Sequence, residues 1–298
     1  MLTESTTLLP DQKRICIIAN PAARSERARK FLDTIQALTD RHTVMRLTEG
    51  PGDAEAQAER AVEQGYGMVI AAGGDGTVNE VVNGIAGSGV TLGLLPIGTM
   101  NVFATELGIP MDLEKAWAVA NGDNYRMIDL AAANDHFFVQ LAGVGLDAQI
   151  VAGTSPEQKR ALGPLSYLLT ATQIAGQKPP RLTIEADDRQ INGSFVLVGN
   201  GRFYGGPFML FTEADLSDGK LDVCVFKYMN YLHLVRYFRG VLFGSHTKFS
   251  DVTYFKTKKL RVSAAHPHNV PVEVDGELSG HLPVEFRVRK RKLRVRVP

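Results

Sequence analysis

The sequence predicts a protein of two domains, a three-layer α/β domain followed by an antiparallel β domain. Its 298 residues, of which 44% are apolar, are enough to form two cores. Residues 1–127 alternate between strand-like and helix-like segments, which predicts a parallel sheet with helices on both faces. Residues 128–287 contain short alternating segments separated by turn residues, which predicts antiparallel strands.

The N-terminal half contains four strand candidates and four helix candidates. The strand candidates are short apolar runs at Arg14–Ala19, Thr43–Leu47, Gly67–Ala72 and Thr91–Leu95. The helix candidates alternate with them and lie at Ser25–Thr39, Ala54–Gln64, Thr77–Ile85 and Asn101–Leu107. The third strand, GMVIAA, has no polar alternation, as expected for a strand that is covered on both faces.

After Asn121 the predicted elements are mostly strands. They are short segments between Asp-Gly and Asn-Gly turns, at His136–Leu141, Arg181–Glu185, Ile191–Val198, Leu221–Phe226, Lys259–Ser263 and Val270–Val274. Helical insertions are predicted near Leu162–Ala175 and at Tyr231–Phe243. The second insertion combines aromatic residues with two arginines, so it is either a core-packing helix or a helix that dips into a bilayer.

Composition and charge exclude several classes of protein. The net charge of +1 gives no indication of a nucleic-acid partner. The opening MLTESTTLLPDQK lacks the features of a signal peptide, and the stretch Ala161–Gln177 is too rich in glycine, proline and polar residues to span a membrane. Cys16 and Cys224 lie in apolar runs, which favours buried thiols over a redox pair or metal ligands. We therefore expect a cytoplasmic protein.

The C-terminal tail carries seven Lys and Arg residues between Arg287 and Arg296. Such a cluster is attracted to an anionic membrane surface. The alternation of apolar and basic residues also fits two strands joined by a tight turn, with basic side chains protecting a sheet edge. The two interpretations are compatible, and both stay open.

The segment Ala71–Glu80 (AAGGDGTVNE) carries the main functional prediction. An apolar strand runs into Gly73, Gly74 and Gly76, and a helix begins there. Glycines allow a positive φ and a close approach of backbone N–H groups to an anion, so the segment predicts a phosphate site at a helix N-terminus. Asp75 would repel a bare phosphate but suits a Mg²⁺ between carboxylate and phosphates. The alternative is a tight turn in which Asp75 caps the helix.

Other site patterns fit the sequence poorly. No G-x-x-x-x-G-K-[ST] segment exists, so this is no P-loop protein. Gly143–Ala148 matches G-x-G-x-x-A but lies in the β-rich half without a βαβ context, which disfavours a dinucleotide site. The seven histidines do not cluster as metal ligands, and no Gly-x-Ser-x-Gly segment indicates a hydrolase.

The glycine-rich segment, together with Pro96–Ala104 (PIGTMNVFA), resembles the catalytic domain of diacylglycerol kinases and sphingosine-kinase-like lipid kinases. GGDGT alone is shared with NAD kinases, but further matching segments follow in order along nearly the whole chain, and the full set is specific to the lipid kinases. These segments are Asn20-Pro21, Thr48 before Gly-Pro-Gly-Asp-Ala, Leu141–Ala148, Gly199-Asn200, Tyr204–Gly206, Asp218–Asp222 and Val274–Glu277.

This resemblance implies a nucleotide-binding domain like those of NAD kinases and phosphofructokinases, a C-terminal β-sandwich, and a cleft between them where ATP meets the lipid. It also implies that a strand at about 288–298 returns to the first domain. The residues that it assigns to nucleotide binding are Asn20, Pro21, Thr48, Gly73, Gly74, Asp75, Gly76, Thr77, Asn79, Glu80, Thr99 and Asn101.

Three carboxylates, Asp75, Asp275 and Glu277, are the predicted catalytic residues. The acceptor hydroxyl must lose its proton during phosphoryl transfer, and a carboxylate can take it. If the strand pattern continues through Val274–Glu277 (VDGE), Asp275 and Glu277 face the same side. In the resemblance Glu277 matches the general base, and Asp275 matches a residue that orients it or helps to bind metal. The alternative is a plain Asp-Gly hairpin with solvated carboxylates.

A second cation site is predicted at Asp215–Lys220 (DLSDGK). By resemblance, a structural Mg²⁺ is held there by the Asp218 side chain and by the backbone carbonyls of Asp215 and Lys220. The alternative is an ordinary Asp-Gly turn between strands.

Taken as a whole, the resemblance implies a Mg²⁺-dependent kinase that uses ATP to phosphorylate a lipid hydroxyl at a peripheral membrane surface. NAD kinase activity and a non-catalytic lipid-binding regulatory module are the alternatives. The acceptor stays open among diacylglycerol, a sphingoid base and related lipids, and a homodimer stays among the open oligomeric states. The chain departs from the family pattern at Ala22–Arg24, which leaves the phosphate contacts open, and at Met100–Val102, which leaves the choice of lipid open.

Overall fold

A computed structural model describes residues 14–21, 33–37, 42–146, 148–149, 179–206, 208–266 and 270–298 of the chain. Residues 33–37 are helical and lie within the predicted helix Ser25–Thr39. The predicted insertion near Leu162–Ala175 and the departure at Ala22–Arg24 lie outside the described residues.

Strands and helices alternate in the N-terminal part, as predicted. The strands are β1 (Ile15–Ala19), β2 (Thr43–Leu47), β3 (Met68–Gly73), β4 (Thr91–Pro96) and β5 (Tyr125–Ala133). The helices are α1 (Asp53–Glu63), α2 (Asp75–Ile85), α3 (Val102–Glu106) and α4 (Leu113–Asn121). Strands β2, β1, β3 and β4 pair in that order, and all of them are parallel.

The parallel arrangement brings the carboxyl ends of all four strands, including β2, to one edge of the sheet. All six residues of β3 and of β4 are buried, which explains the lack of polar alternation in their sequences. Because β1, β3 and β4 run in the same direction, their carboxyl ends meet at this edge, which is where ligands bind in open α/β sheets.

The C-terminal part consists almost entirely of strands. The strands are β6 (His136–Phe138), β7 (Leu141–Val144), β8 (Leu182–Ala186), β9 (Arg189–Gly193), β10 (Phe195–Gly199), β11 (Phe203–Tyr204), β12 (Phe208–Met209), β13 (Leu221–Phe226), β14 (Val252–Thr257), β15 (Lys259–Ala264), β16 (Pro271–Val274), β17 (Glu277–His281) and β18 (Val284–Arg296). A helix, α5 (Tyr231–Leu242), and a short 3₁₀ helix, His246–Lys248, interrupt them.

Two of the predicted strands are each divided in the structure. The segment Ile191–Val198 forms parts of β9 and β10, because the Ser194 N–H and hydroxyl donate to the carbonyls of Phe226 and Lys227, both at 2.8 Å. These bonds move the chain from one sheet to the other. The segment His136–Leu141 is likewise shared between β6 and β7.

Two sheets enclose the core of the C-terminal domain and confirm the predicted β-sandwich. One sheet has the order β14-β13-β10-β7-β16-β17, and the other includes β18, β15, β8 and β9. Valines from β7, β10, β13 and β16 pack against Phe138 and Phe286, whose rings meet edge to face at 6.2 Å.

The long strand β18 connects the two domains. Its first half pairs with β15, and its last residues pair with β4 of the parallel sheet. Strand β5, which runs across residue 127, pairs with β18 along nearly its whole length.

The basic tail therefore forms one continuous strand, and the predicted pair of strands with a tight turn is wrong. Partners on both sides remove the sheet edge that basic side chains were expected to protect. Several of its cations have partners: Arg289 pairs with Asp135 at 3.3 Å, and Lys292 lies 3.6 Å from Asp129.

Candidate active site

The glycine-rich segment forms the turn between β3 and α2. None of Gly73, Gly74 and Gly76 has a positive φ, so the expected left-handed backbone is absent from this turn. Their missing side chains serve close packing instead. A Cβ on Gly73 would overlap the Thr77 side chain, and a Cβ on Gly74 would lie 3.2 Å from the Gly98 Cα. The loops that follow β3 and β4 therefore touch backbone to backbone.

Asp75 and Asn101 lie where these two loops meet. Asp75 is the first residue of α2 and does not cap it, because its Oδ1 accepts a hydrogen bond from the Phe103 N–H at 3.2 Å. Burial raises the pKa of Asp75, and the negative charge of Asp275 raises it further. Asn101 has a left-handed φ of 48°, and its Nδ2 donates to the Gly98 carbonyl at 2.8 Å. Its Oδ1 is buried and has no hydrogen-bond partner among the described residues.

Other residues that were predicted to bind the nucleotide lie around this edge, and some are buried while others are exposed. Asn20 follows β1 and its Nδ2 donates to Thr77 Oγ1 at 3.2 Å. Thr48 follows β2, is buried, and its N–H donates to the Ala19 carbonyl. Pro21 and Thr99 are exposed at the same edge.

Glu80 has a structural use that the sequence did not suggest. Its Oε1 and Oε2 accept hydrogen bonds from the Gly52 and Ala54 N–H groups, both at 3.0 Å. These N–H groups lie at the N-terminus of α1 and have no partner within that helix. The carboxylate therefore stabilises α1 from one turn into α2.

The Asp275 carboxylate accepts four hydrogen bonds. Its Oδ2 accepts from Asn79 Nδ2 at 2.8 Å and from the Val139 N–H at 2.9 Å. Its Oδ1 accepts from the Gln140 and Leu141 N–H groups, both at 3.0 Å. Burial raises the pKa of Asp275, and these donors oppose that rise. The carboxylate joins α2, the β6–β7 loop and the β16–β17 hairpin.

Glu277 lies on the other side of the hairpin. Asp275 and Gly276 have positive φ values of 47° and 86°, so they form a two-residue turn and Val274 pairs directly with Glu277. The strand pattern does not continue through the turn, but both carboxylates lie against α2, that of Asp275 at Asn79 and that of Glu277 at Gly76. A Cβ built on Gly76 would overlap Glu277 Oε1 and lie 3.3 Å from its Cδ. The Glu277 carboxylate is therefore against the glycine-rich turn.

Sequence reasoning missed a polar cluster between the two domains. Glu106, at the end of α3, has a buried side chain, and its Oε1 accepts from Arg202 Nε at 2.7 Å. Its Oε2 accepts from Gln140 Nε2 at 3.1 Å. Asn200, part of a segment quoted for the resemblance, donates through Nδ2 to the carbonyls of Asp129 and Val139. An acidic residue in the apolar run VFATE was the available signal for Glu106.

The predicted cation loop is occupied by side-chain charges of the protein. Lys256 Nζ lies 3.0 Å from Asp218 Oδ2 and donates to the Glu213 carbonyl at 2.6 Å. The Asp215 carbonyl accepts from the Asp218 N–H, and the Lys220 N–H donates to Asp218 Oδ1. The Lys256 ammonium is thus a counter-charge for Asp218, although Asp222, 3.6 Å away, shares it. Both the Mg²⁺ site and the ordinary Asp-Gly turn stay predictions.

Three further observations concern metal groups, membrane-spanning helices and cysteines among the described residues. They contain no group of three or more His, Cys, Asp or Glu residues that could hold a metal ion. None of their helices has the length and apolar character needed to cross a bilayer. Cys16 and Cys224 are free and buried, and burial raises the pKa of both thiols.

Comparison with known proteins finds matches over both domains. The family model named diacylglycerol kinase catalytic domain matches residues 14–133. The family model named YegS C-terminal NAD kinase beta sandwich-like domain matches residues 141–297. Among solved structures, one described as a diacylglycerol kinase from Bacillus anthracis superposes with a TM-score of 0.77 at 25% identity. The superposition covers 96% of this chain and 97% of that chain.

Sequence relatives extend the match to full length. A diacylglycerol kinase from Bacillus subtilis is 33% identical over 296 residues, which cover 96% of this chain and 97% of the relative. One from Staphylococcus haemolyticus is 33% identical over 290 residues, which cover 95% and 87% of the two chains. With both domains matched and the glycine-rich turn in place, the chain belongs to the diacylglycerol kinase family and is an ATP-dependent lipid kinase.

Proposed function

We propose that this lipid kinase transfers the γ-phosphoryl group of MgATP to the free hydroxyl of diacylglycerol or a closely related lipid, with Glu277 as the general base. The observation that carries this proposal is the position of Glu277, whose carboxylate lies against Gly76 at the glycine-rich turn. Its relatives from Bacillus subtilis and Staphylococcus haemolyticus are named diacylglycerol kinases, which makes diacylglycerol the first acceptor to test.

The turn between β3 and α2 is the proposed site of the ATP phosphates. Backbone N–H groups at the start of a helix favour an anion, and the glycines allow its close approach. The Asp75 carboxylate oxygen and Asn101 Oδ1, which has no hydrogen-bond partner among the described residues, can act as metal ligands at this turn. Mg²⁺ is commonly bound by one or two protein oxygens together with substrate phosphates, so these two atoms suit the metal of MgATP.

The proposed reaction is a direct phosphoryl transfer. The lipid hydroxyl oxygen forms a bond to the γ-phosphorus, and the bond from that phosphorus to the β–γ bridging oxygen breaks, so ADP leaves. The hydroxyl proton passes to the Glu277 carboxylate. The products are a phosphorylated lipid, ADP and one proton, which Glu277 later releases.

Asp275 acts in this proposal as a positioning residue. Four N–H groups from α2 and from the β6–β7 loop fix its carboxylate. Glu277 lies two residues further along the same tight turn. The turn leaves Glu277 little freedom relative to α2. Catalytic carboxylates need this kind of support because small displacements reduce rates strongly.

Each domain has a separate task in the proposed enzyme. We assign the nucleotide to residues 1–127 with the returning end of β18, and the lipid to residues 128–287. The enzyme would then work in the cytoplasm as a peripheral membrane protein, because its lipid acceptor resides in a bilayer.

Replacement of Glu277 tests the assignment of the base. Glu277→Gln preserves the shape of the side chain and removes its basicity, so kcat with diacylglycerol should fall by about 10²–10⁴ while nucleotide affinity changes little. Labelled ATP and a panel of diacylglycerol, sphingoid base and NAD give the readout. A Gln variant with near-native kcat would remove Glu277 from the mechanism, and phosphorylation of NAD alone would establish the NAD kinase alternative. A wild-type protein that phosphorylates none of these would favour the regulatory module.

A further inference from the structure

Helix α5 exposes a row of large apolar side chains. The row, here termed the apolar stripe, comprises residues whose exposed fractions are 48–78%: Tyr231, Leu232, Val235, Phe238, Leu242 and Phe243. Their spacing places them along one side of the helix. The opposite side is packed, since Tyr237 and Gly240 are buried and the Tyr237 ring lies 4.9 Å from that of Phe226. The helix therefore packs on the core through its opposite side, and the apolar stripe is not needed for that packing.

The charges on and around the stripe are mostly positive. Residues 227–250 contain four Lys or Arg residues and no Asp or Glu. Arg239 lies within the stripe, 6.0 Å from the ring centroid of Phe243, and has no carboxylate partner in the part of the chain that the structure describes. Arg236, another of these four cations, forms an ion pair with Asp251. An exposed apolar row with basic neighbours is the composition of an interfacial helix, and its charge is complementary to anionic headgroups.

A short series of contacts joins the stripe to the active site. The Phe238 ring lies 6.2 Å from that of Phe208, which belongs to the β11–β12 hairpin. In the same hairpin, a Cβ on Gly206 would lie 2.8 Å from Met100 Cε. Met100 follows Gly98 and Thr99 in the loop that touches the glycine-rich turn. The stripe, the hairpin and the phosphate loops are thus consecutive neighbours.

From this continuity we propose that the apolar stripe docks the enzyme on an anionic lipid bilayer and turns the β11–β12 hairpin, with the adjoining active site, toward the membrane. The proposal rests on the proposed function, since a bilayer-resident acceptor requires such an approach. We assign a bilayer as the partner because the positive charges near the stripe attract anionic headgroups and its apolar residues can enter the acyl boundary. A second copy of the chain on this stripe would instead bring the Arg239 side chains of the two copies together.

Vesicle co-sedimentation tests the surface without any need for turnover. Wild-type protein should sediment with phosphatidylcholine vesicles that contain phosphatidylglycerol, and less with pure phosphatidylcholine or at high salt. The double variant Leu232→Ser, Phe243→Ser should bind these vesicles more than about tenfold more weakly, because two large apolar side chains no longer enter the bilayer. Leu47→Ser, at a residue 45% exposed on β2, is the matched control and should bind like wild type.

Activity measurements separate this inference from the proposed function. On a monomeric short-chain diacylglycerol the double variant should keep the wild-type kcat/KM, and on diacylglycerol in vesicles it should lose most of its activity. Wild-type vesicle binding by the double variant would overturn the surface, as would a dimer in analytical ultracentrifugation that the double variant abolishes. If vesicles are bound but no lipid is phosphorylated, the surface stands and the proposed function fails.

Discussion

Gly76 determines how closely the β16–β17 hairpin approaches helix α2. The space that a side chain would occupy at Gly76 is taken by the Glu277 carboxylate. Since Gly76 has an ordinary helical backbone in the first turn of α2, the conformational freedom of glycine is not what this position requires. Glycine is needed because of its size, and this need is specific to the Glu277 side chain.

The substitution Gly76→Ala should therefore reduce activity without loss of stability. The added methyl group would displace the Glu277 carboxylate, and a shift of about 1 Å in a catalytic group can reduce kcat by about 10²-fold. Alanine favours a helix interior over glycine by up to about 1 kcal/mol, so the melting temperature should not fall. Steady-state kinetics and thermal denaturation measure the two effects.

Gly67→Ala is the control for this substitution. A Cβ at Gly67 would have no neighbour within 4 Å, so its kcat should stay at the wild-type value. If Gly76→Ala also retains the wild-type kcat, the Glu277 carboxylate is not held against the turn during catalysis.

At the scale of single elements, the loop between β12 and β13 depends on Lys256. This residue of β14 reaches Asp218 at 3.0 Å and Asp222 at 3.6 Å, and the Asp222 side chain is almost completely buried. Burial raises the pKa of Asp222, and the Lys256 ammonium opposes that rise. The loop thus has its counter-charge from the chain itself.

Lys256→Met should destabilise the fold near neutral pH, by at most about 3–5 kcal/mol, because the buried Asp222 carboxylate loses its cation and keeps the hydrogen bond from the Tyr254 hydroxyl. The sign of the pH dependence follows from Asp222. Since its folded pKa is raised, protonation favours the folded state, and the loss of stability should shrink as the pH falls toward about 5. Chemical denaturation at about pH 7 and about pH 5 measures the difference.

The same measurement tests whether Mg²⁺ binds this loop. A ligand that binds only the folded state raises its stability. The wild-type midpoint should be equal with Mg²⁺ and with a chelator. A midpoint that rises with Mg²⁺ in wild type, and not in Asp218→Ala, would show that the metal displaces Lys256.

Sequence patterns predicted the elements whose environment is local. Strands β2 (TVMRL) and β13 (LDVCVF) have the predicted bounds, because each is a short, mostly apolar run with β-branched residues. The sequence analysis missed helix α4, although Asp112 caps its N-terminus. Its periodic pattern is weak, because the helix is short and its buried residues are alanines, at 116 and 120. The break at Ser194 depends on carbonyls of residues 226 and 227, which no local pattern contains.

The candidate site was predictable as a set of residues and not as a geometry. The glycine-rich turn and the VDGE segment were identified as one site from the resemblance alone. The hydrogen bonds that hold Asp275 were not predictable, because its donors are Asn79, 196 residues away, and the N–H groups of a loop whose strands were predicted as one. Burial of a carboxylate by distant backbone groups leaves no periodic signal in a sequence.

For the molecule as a whole, β18 makes the two domains share one sheet. Phe286, in the first half of the strand, is fully buried in the sandwich core, and Val295, near its end, is fully buried in the α/β core. One strand cannot lose its register in one core and keep it in the other. We therefore expect the domains to unfold together.

The single tryptophan of the chain provides the test. Trp117 lies on α4 and packs against the α/β core, so its fluorescence reports the N-terminal domain alone. Phe286→Ala removes a buried ring from the sandwich and should cost about 3–5 kcal/mol. In a denaturant titration, the midpoint from Trp117 fluorescence should shift to lower concentration together with the midpoint from far-ultraviolet circular dichroism. Leu278→Ala, at a residue 54% exposed, is the matched control and should shift neither midpoint appreciably. An unchanged Trp117 midpoint in Phe286→Ala, beside a lowered circular dichroism midpoint, would show that the domains unfold independently despite their common strand.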